Sequence, residues 1–261
     1  VSQQRFYTTQ LQAGLGLIEE TRQLFQVYQP GMTSTQLYEV ALESGRFPLV
    51  TARRLRNIVA ECFAPRYLRN QQVATQLKLL AGRLNVPELN QLMLIYTARA
   101  NLVLADFVRE VYWVRYSAGR NEIDLEDART FVVNSVREGK TQKPWSETTI
   151  KRISSYLMGC CVDYGLLINN GRNQRLIAAY RILPKVAAYL AYELKFSGLG
   201  DNQIVSHSDW ALFGLDRADV RDQLKRLSLQ GLLIFQAASD VVHIGWTYKS
   251  MEELTDVIAQ S

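Results

Sequence analysis

The sequence predicts a mainly α-helical fold: a helix-turn-helix followed by a helical bundle and winged-helix modules with short β wings. Three observations predict it. Apolar residues recur at helical spacing through most of the 261 residues. With only 15 Gly and 6 Pro, long helices are easier to build than a sandwich of many turns. An outline of helix, Gly-Leu-Leu-Ile, polar turn and strand occurs twice, at Gly165 and again at Gly231.

The first period runs through Leu11, Leu15, Ile18 and Leu24 or Phe25 and ends near the turn Pro30-Gly31. Thr33-Ser34-Thr35 supplies N-cap oxygens for a short helix carrying Leu37, Tyr38, Ala41 and Leu42, which Ser44-Gly45 closes. Arg46 to Val50 connects to a second N-cap, Thr51. Its helix carries Leu55, Ile58, Val59, Cys62 and Phe63 on one side and ends before Pro65. Short helix, turn and basic helix is the order of a helix-turn-helix. Residues 71 to 117 read as helical packing material, with Pro87 restarting a helix. After a break at Gly119 to Asn121, Asp124 caps a helix with Ala128, Phe131, Val132 and Val136 inward, ended by Gly139. Thr141 to Pro144 reads as a linker.

Ser146 then caps a helix through Ile150, Ile153, Leu157 and Cys161. It leads into Gly165-Leu-Leu-Ile168, a turn at Asn169-Asn170-Gly171 and a strand over Leu176 to Ile182. Asp216 caps the second such helix, with Val220, Leu224 and Leu227. It leads into Gly231-Leu-Leu-Ile234, a turn at Ser239-Asp240 and a strand over Val241 to Trp246. A Gly after each helix permits a left-handed cap, and the apolar triplet starts the first wing strand. The expected regions are 1–70 (helix-turn-helix-like), 71–140 (helical middle) and 141–261 (two winged-helix-like units).

No stretch approaches the roughly 20 uninterrupted apolar residues of a membrane span; Leu92 to Trp113 is broken by Arg99, Asp106, Arg109 and Glu110. No secretory signal is visible at Val1 to Arg5, and the expected location is cytoplasmic with no membrane partner. Cys62, Cys160 and Cys161 have neither the number of a disulfide framework nor the spacing of a zinc site, and read as core thiols. No cofactor or metal is expected.

Enzyme chemistry finds few candidates. Of two His, His207 sits in Ser206-His-Ser-Asp209, which reads as a helix cap, and His243 falls on the solvent face of a wing strand. Phosphate loops and Gly-x-Ser-x-Gly elbows do not occur. Glu122, Asp124, Glu126 and Asp127 before Glu138-Gly-Lys140 hold the letters of a metal-dependent nuclease. On one helix, however, those carboxylates diverge, and an acidic first turn with a basic end serves the helix dipole.

Charge says more. The net charge of +5 is carried by two blocks: 46–83 has eight basic residues and one acidic, and 137–185 has nine and three. Such asymmetry suits a polyanion. Arg53, Arg54 and Arg56 fall in the first turns of a capped helix, where a recognition helix meets groove edges. Arg46, Arg66, Arg69, Lys78 and Arg83 flank it as phosphate contacts. Lys151 and Arg152 take the corresponding place in the second block, with Lys140 and Lys143 in the approach and Arg172 and Arg175 at a wing tip. In the third unit Asp216, Asp219 and Asp222 dilute Arg217, Arg221, Lys225 and Arg226, which suits protein contact or a structural role.

An N-terminal helix, Thr51-Ala-Arg-Arg-Leu-Arg56, then Ala64-Pro-Arg-Tyr-Leu68, a helical middle and a basic C-terminal half with Gly-Leu-Leu units together resemble the BrxA family of bacteriophage exclusion (BREX) defence systems. The resemblance implies a non-catalytic, mainly helical protein with helix-turn-helix character that binds double-stranded DNA and supports a larger host-defence complex. It carries over Arg53, Arg54, Arg56 and Arg66. The expectation is a double-stranded DNA-binding accessory protein with other defence proteins as partners. The alternatives are a protein-interaction scaffold without DNA binding, an RNA-binding helical module and a Mg²⁺-dependent nuclease. Oligomeric state and sequence preference are open at this point.

Overall fold

Thr33 and Thr51 start helices as their hydroxyls dictate in the computed structural model, which describes residues 5–13, 17–170, 174–239 and 241–260. Part of the first expected period, including Leu15, lies outside them, as do Gly171, Arg172 and Asp240. The chain divides into two compact units, and neither is continuous in sequence. Unit 1 takes residues 1–78 and 93–179; unit 2 takes 79–92 and 180–261. The division therefore does not follow breaks at 70 and 140. Thr141 to Pro144 joins two helices of unit 1 rather than two domains.

Unit 1 begins with a 3-10 turn at Gln10–Ala13 and then α1 (Ile18–Val27) and α2 (Ser34–Glu43). The Thr33 side chain and Gln36 form a reciprocal capping box at the start of α2. Helix α3 (Ala52–Asn57) runs without interruption into a π-helix over Ile58–Leu68, so the helix does not end before Pro65. In π-type winding each carbonyl is taken one residue further on, which relieves the clash an inserted proline makes with the i−4 carbonyl. Phe25, Phe63 and Tyr67 meet with ring centroids 5.0–5.1 Å apart, closing α1 onto the π-helix. Next come α4 (Gln71–Ala81) and α5 (Val86–Ala100), both crossed by the division between units. Then follow α6 (Leu102–Phe107), a π-turn at Val108–Tyr112, and α7 (Trp113–Ser117).

The rest of unit 1 is a strand, two helices and a hairpin: β1 (Glu122–Asp124), α8 (Leu125–Arg137), α9 (Glu147–Asp163), β2 (Leu167–Asn170) and β3 (Gln174–Ile177). The strands form one antiparallel sheet in the order β1-β3-β2, with Ile123 opposite Arg175 and Arg175 opposite Asn169. The second wing strand thus begins and ends earlier than 176–182, and β1 completes a sheet that the residue pattern gave only as a hairpin. Asp124 and Asp127 cap α8 reciprocally, Gly139 ends it at φ +74°, and Ser146 caps α9. The amide of Tyr7 donates to the Lys140 carbonyl at 2.8 Å, and its hydroxyl donates to Asp106 at 2.6 Å, tying the N-terminal segment to α6 and the end of α8.

Unit 2 repeats the plan: α10 (Pro184–Phe196), α11 (Asp201–Val205), a 3-10 helix (Ser208–Phe213), α12 (Arg217–Leu229), a hairpin of β4 (Leu233–Ala238) and β5 (Val241–Trp246), and α13 (Met251–Gln260). At the ends of α9 and α12 the same cap recurs. Gly165 and Gly231 have φ +79° and +73°, and the following residues, Leu166 and Leu232, donate back to Cys161 and Leu227. Where unit 1 flanks its hairpin with β1, unit 2 uses a side chain: Asp201 Oδ2 accepts the Ile244 amide at 2.9 Å. His207 caps the 3-10 helix through the Asp209 amide, as expected. Helix α13, not anticipated as an element, buries Met251, Leu254, Thr255 and Ile258 at helical spacing.

Candidate nucleic-acid interface

The α2–α3 corner is set by its two caps and by one buried leucine. Thr51 Oγ1 accepts the Arg54 amide at 3.2 Å, and Leu55 is buried, so α3 turns its opposite face outward. On that face Arg53, Arg54 and Arg56 are exposed. Arg56 lies 5.0 Å over the Tyr38 ring of α2, a cation–π contact that orders the guanidinium. Arg46, in the connector, is exposed and donates to Gln26 Oε1 at 2.5 Å. Arg69 is exposed just past the π-helix, and Arg83 is exposed in unit 2. Lys78 is part-buried and donates to the Tyr28 carbonyl, which makes it a strut within unit 1.

Arg66 departs from the expectation. It is 5% exposed and lies on the inward side of the π-helix beside Tyr67, near Cys160 of α9 and Tyr164 just past that helix. Because the helix continues past Pro65, the residue turns onto the same face as Cys62 and Phe63. A guanidinium there serves the interior and has no surface to offer a phosphate.

The second cationic stretch begins at Lys143, exposed between α8 and α9. Ile150 and Ile153 anchor α9 in the core and turn Thr148, Lys151, Arg152 and Ser155 to solvent, one stripe at i, i+3, i+4 and i+7. Thr148 and Ser155 are not among the expected contacts, although their spacing from Lys151 would have revealed them. Arg129 holds Glu147 at 2.7 Å, fixing the start of α9 against α8. Lys140 is spent on Glu110 at 3.3 Å and Glu138 at 3.4 Å. Arg175 is half-buried on the sheet face of Ile123, whose side chain is fully covered, so it does not stand at an open wing tip. Arg172 lies outside the described residues.

The acidic side of unit 1 is a groove of about 490 Å³ lined by Glu110, Val114, Asp124, Glu126, Phe131 and Glu138, among others. Its carboxylates have local work. Asp124 and Asp127 cap α8, Asp127 also pairs with Arg115, and Glu138 pairs with Lys140. Asp124 and Glu138 stand at opposite ends of α8, about 20 Å apart at 1.5 Å per residue, so they do not converge on one ion as a nuclease requires.

Helix α12 of unit 2 mixes its signs: Asp216, Asp219 and Asp222 stand among Arg217, Arg221, Lys225 and Arg226. Lys225 holds Asp222 at 2.9 Å, and that hydrogen bond keeps the Asp222 carboxyl below its ordinary range. Arg217 donates to Asn202 at 3.2 Å. By alternation the outer face of the β4–β5 hairpin carries Ile234, Gln236, Val241 and His243, with no Lys or Arg. His243 is exposed, as expected. All three cysteines are free and buried, and burial pushes the Cys160 thiol up to about 12. Among the described residues no helix is long and apolar enough to cross a membrane.

No curated protein matches this chain. Among solved structures it resembles an uncharacterized protein from Magnetospirillum magneticum, with a TM-score of 0.59 and 15% identity over 73% of this chain and 94% of that one; the likeness is one of fold. Residues 5–193 match the BrxA family, so the chain, mainly helical and with small antiparallel sheets, belongs to the BrxA family of BREX anti-phage defence components.

Proposed function

We propose that this chain is a non-catalytic, cytoplasmic, double-stranded DNA-binding component of its defence system, and that it binds through α3 and α9 of unit 1. Both helices belong to recurring DNA-binding outlines. The α2–α3 pair, joined by residues 44–51, keeps the order of a helix-turn-helix with a longer connector, and β1, α8, α9 and the β2–β3 hairpin have the order of a winged helix. The observation that carries the reading is the pairing of a capped, core-anchored helix start with exposed cations at both places. Arg53, Arg54 and Arg56 follow Thr51, and Lys151 and Arg152 follow Ser146. A helix start also aims its first amides and the positive end of its dipole at an anion. Binding rests largely on phosphate charge.

The test is fluorescence anisotropy of the full chain with a labelled random duplex at ~50 and ~200 mM salt, a range over which several phosphate contacts lose orders of magnitude in affinity. Binding with a steep salt slope supports the reading. Absence of binding at low salt removes it. Incubation with Mg²⁺ or Mn²⁺ should leave the duplex uncut.

A second reading applies to unit 2. Its winged-helix outline presents Leu229 at 90% exposure and a hairpin face without cations, beside a helix in which three aspartates stand among the cations and Lys225 pairs with Asp222. That surface suits protein contact with other defence components better than DNA. A variant of unit 2 such as Leu229→Asp should leave duplex affinity unchanged.

A further inference from the structure

We infer that Leu49 reads the thymine 5-methyl group in the DNA major groove, which makes thymine-containing duplex, rather than RNA or uracil-substituted DNA, the preferred polymer. The inference rests on the proposal that α3 is a DNA-binding helix and says what that helix recognises. Leu49 is 97% exposed, more than any other exposed large hydrophobic residue among those described. A single exposed leucine is ordinary on a protein surface. Its setting is not.

Leu49 sits in a hydrogen-bonded turn. The Val50 amide donates to the Phe47 carbonyl at 3.1 Å, with Pro48 at the second position and Leu49 at the third. Leu49 is not among the residues with positive φ, so the turn is of type I, in which proline presets the second residue. The side chain is thus carried on a stiff support and loses little freedom on contact. It stands two residues before Thr51, the cap of α3, at the helix end that presents Arg53 and Arg54.

The surrounding charge selects the partner. From Ser44 to Ala60 there are four arginines, Arg46, Arg53, Arg54 and Arg56, and no Asp or Glu. An apolar protein surface docking on Leu49 would have to accommodate that positive charge. Duplex DNA offers phosphates to the arginines and one apolar group on the groove wall, the thymine methyl. An A-form RNA helix offers neither the methyl nor a major groove wide enough to admit the helix.

The experiment compares two short A·T-rich duplexes, identical except that every thymine in the second is deoxyuridine, titrated at one salt concentration with the native chain, Leu49→Ala and Leu49→Met. The native chain should bind the uracil duplex about fourfold more weakly for each methyl contacted, the worth of one buried carbon. Leu49→Ala should bind both duplexes alike, and Leu49→Met should retain the difference. Because Leu49 is exposed, all three proteins should melt together. Equal affinity of the native chain for the two duplexes overturns the inference while leaving duplex binding by α3 intact. A methyl response that survives in Leu49→Ala overturns it as well, by assigning the contact to another side chain. Failure of the native chain to bind either duplex overturns both the inference and the reading beneath it.

Discussion

Thr51 Oγ1 accepts the backbone amide of Arg54 at 3.2 Å, so the hydroxyl that starts α3 also fixes the backbone that carries its arginines. Thr51→Ala should cost about 1 kcal/mol of stability, the usual worth of an N-cap. It should also weaken duplex binding while leaving the charge count unchanged. Denaturant melts and anisotropy on the same variant check both parts, and Thr51→Ser should restore them.

Arg66 and the exposed arginines of α3 should separate cleanly. Replacing Arg53, Arg54 and Arg56 with Ala should leave the melting temperature nearly unchanged. It should lower the salt slope by about 0.9 for each phosphate contact removed. Arg66→Ala should do the reverse. It empties a site that is 5% exposed, should cost about 2–4 kcal/mol, and should keep the slope of the native chain wherever the protein remains folded.

Tyr192 closes the base of the second hairpin. Its hydroxyl donates to the Leu232 carbonyl at 2.6 Å and accepts the amides of Thr247 at 3.0 Å and Tyr248 at 3.3 Å, with the Trp246 ring 4.7 Å away. Tyr192→Phe leaves those backbone groups without their partner and should cost about 1–3 kcal/mol. Hydrogen exchange should accelerate first at Thr247 and Tyr248.

Alkaline pH should destabilise the fold. Burial raises the thiols of Cys62, Cys160 and Cys161 and the phenols of Tyr67, Tyr112 and Tyr164 above their ordinary values, Cys160 to about 12. In the unfolded chain a thiol ionises near ~8.5 and a phenol near ~10. Above those values the unfolded state has released protons that the folded state still holds. The stability these groups contribute is therefore complete below about pH 8.5 and is lost as pH rises toward the folded values. Melting temperature should fall steadily above about pH 9. At neutral pH a thiol reagent should label no cysteine until the protein is unfolded.

Local chemistry was readable from the residues, and long-range placement was not. Thr33, Thr51, Asp124, Ser146 and Asp216 all cap helices as their types require, and Gly165 and Gly231 both take left-handed conformations after their helices. Each of those outcomes depends on a few neighbouring residues. Strand β1 has only three residues, and its partner lies some fifty positions later, so no local pattern announces it. Arg66 looked like a surface cation because a proline normally ends a helix; the π-type winding carries the chain through Pro65 and turns the arginine inward. Division into units also depends on distant contacts, and the cuts within α4 and α5 fall where the helical pattern is unbroken. Of the candidate site, the cations of α3 and α9 were legible as charge in capped helices. The exposure of Leu49 was not, since its letter reads as core.

One comparison decides whether cations of α3 and α9 hold duplex DNA. The native chain and a variant with Arg53, Arg54, Arg56, Lys151 and Arg152 all changed to Ala are titrated against the same duplex across a series of salt concentrations. The native chain should bind tightly with a steep slope, and the variant should stay folded with a slope shallower by up to about 4.5. A folded variant that keeps the native affinity and slope would show that the phosphate contacts lie elsewhere.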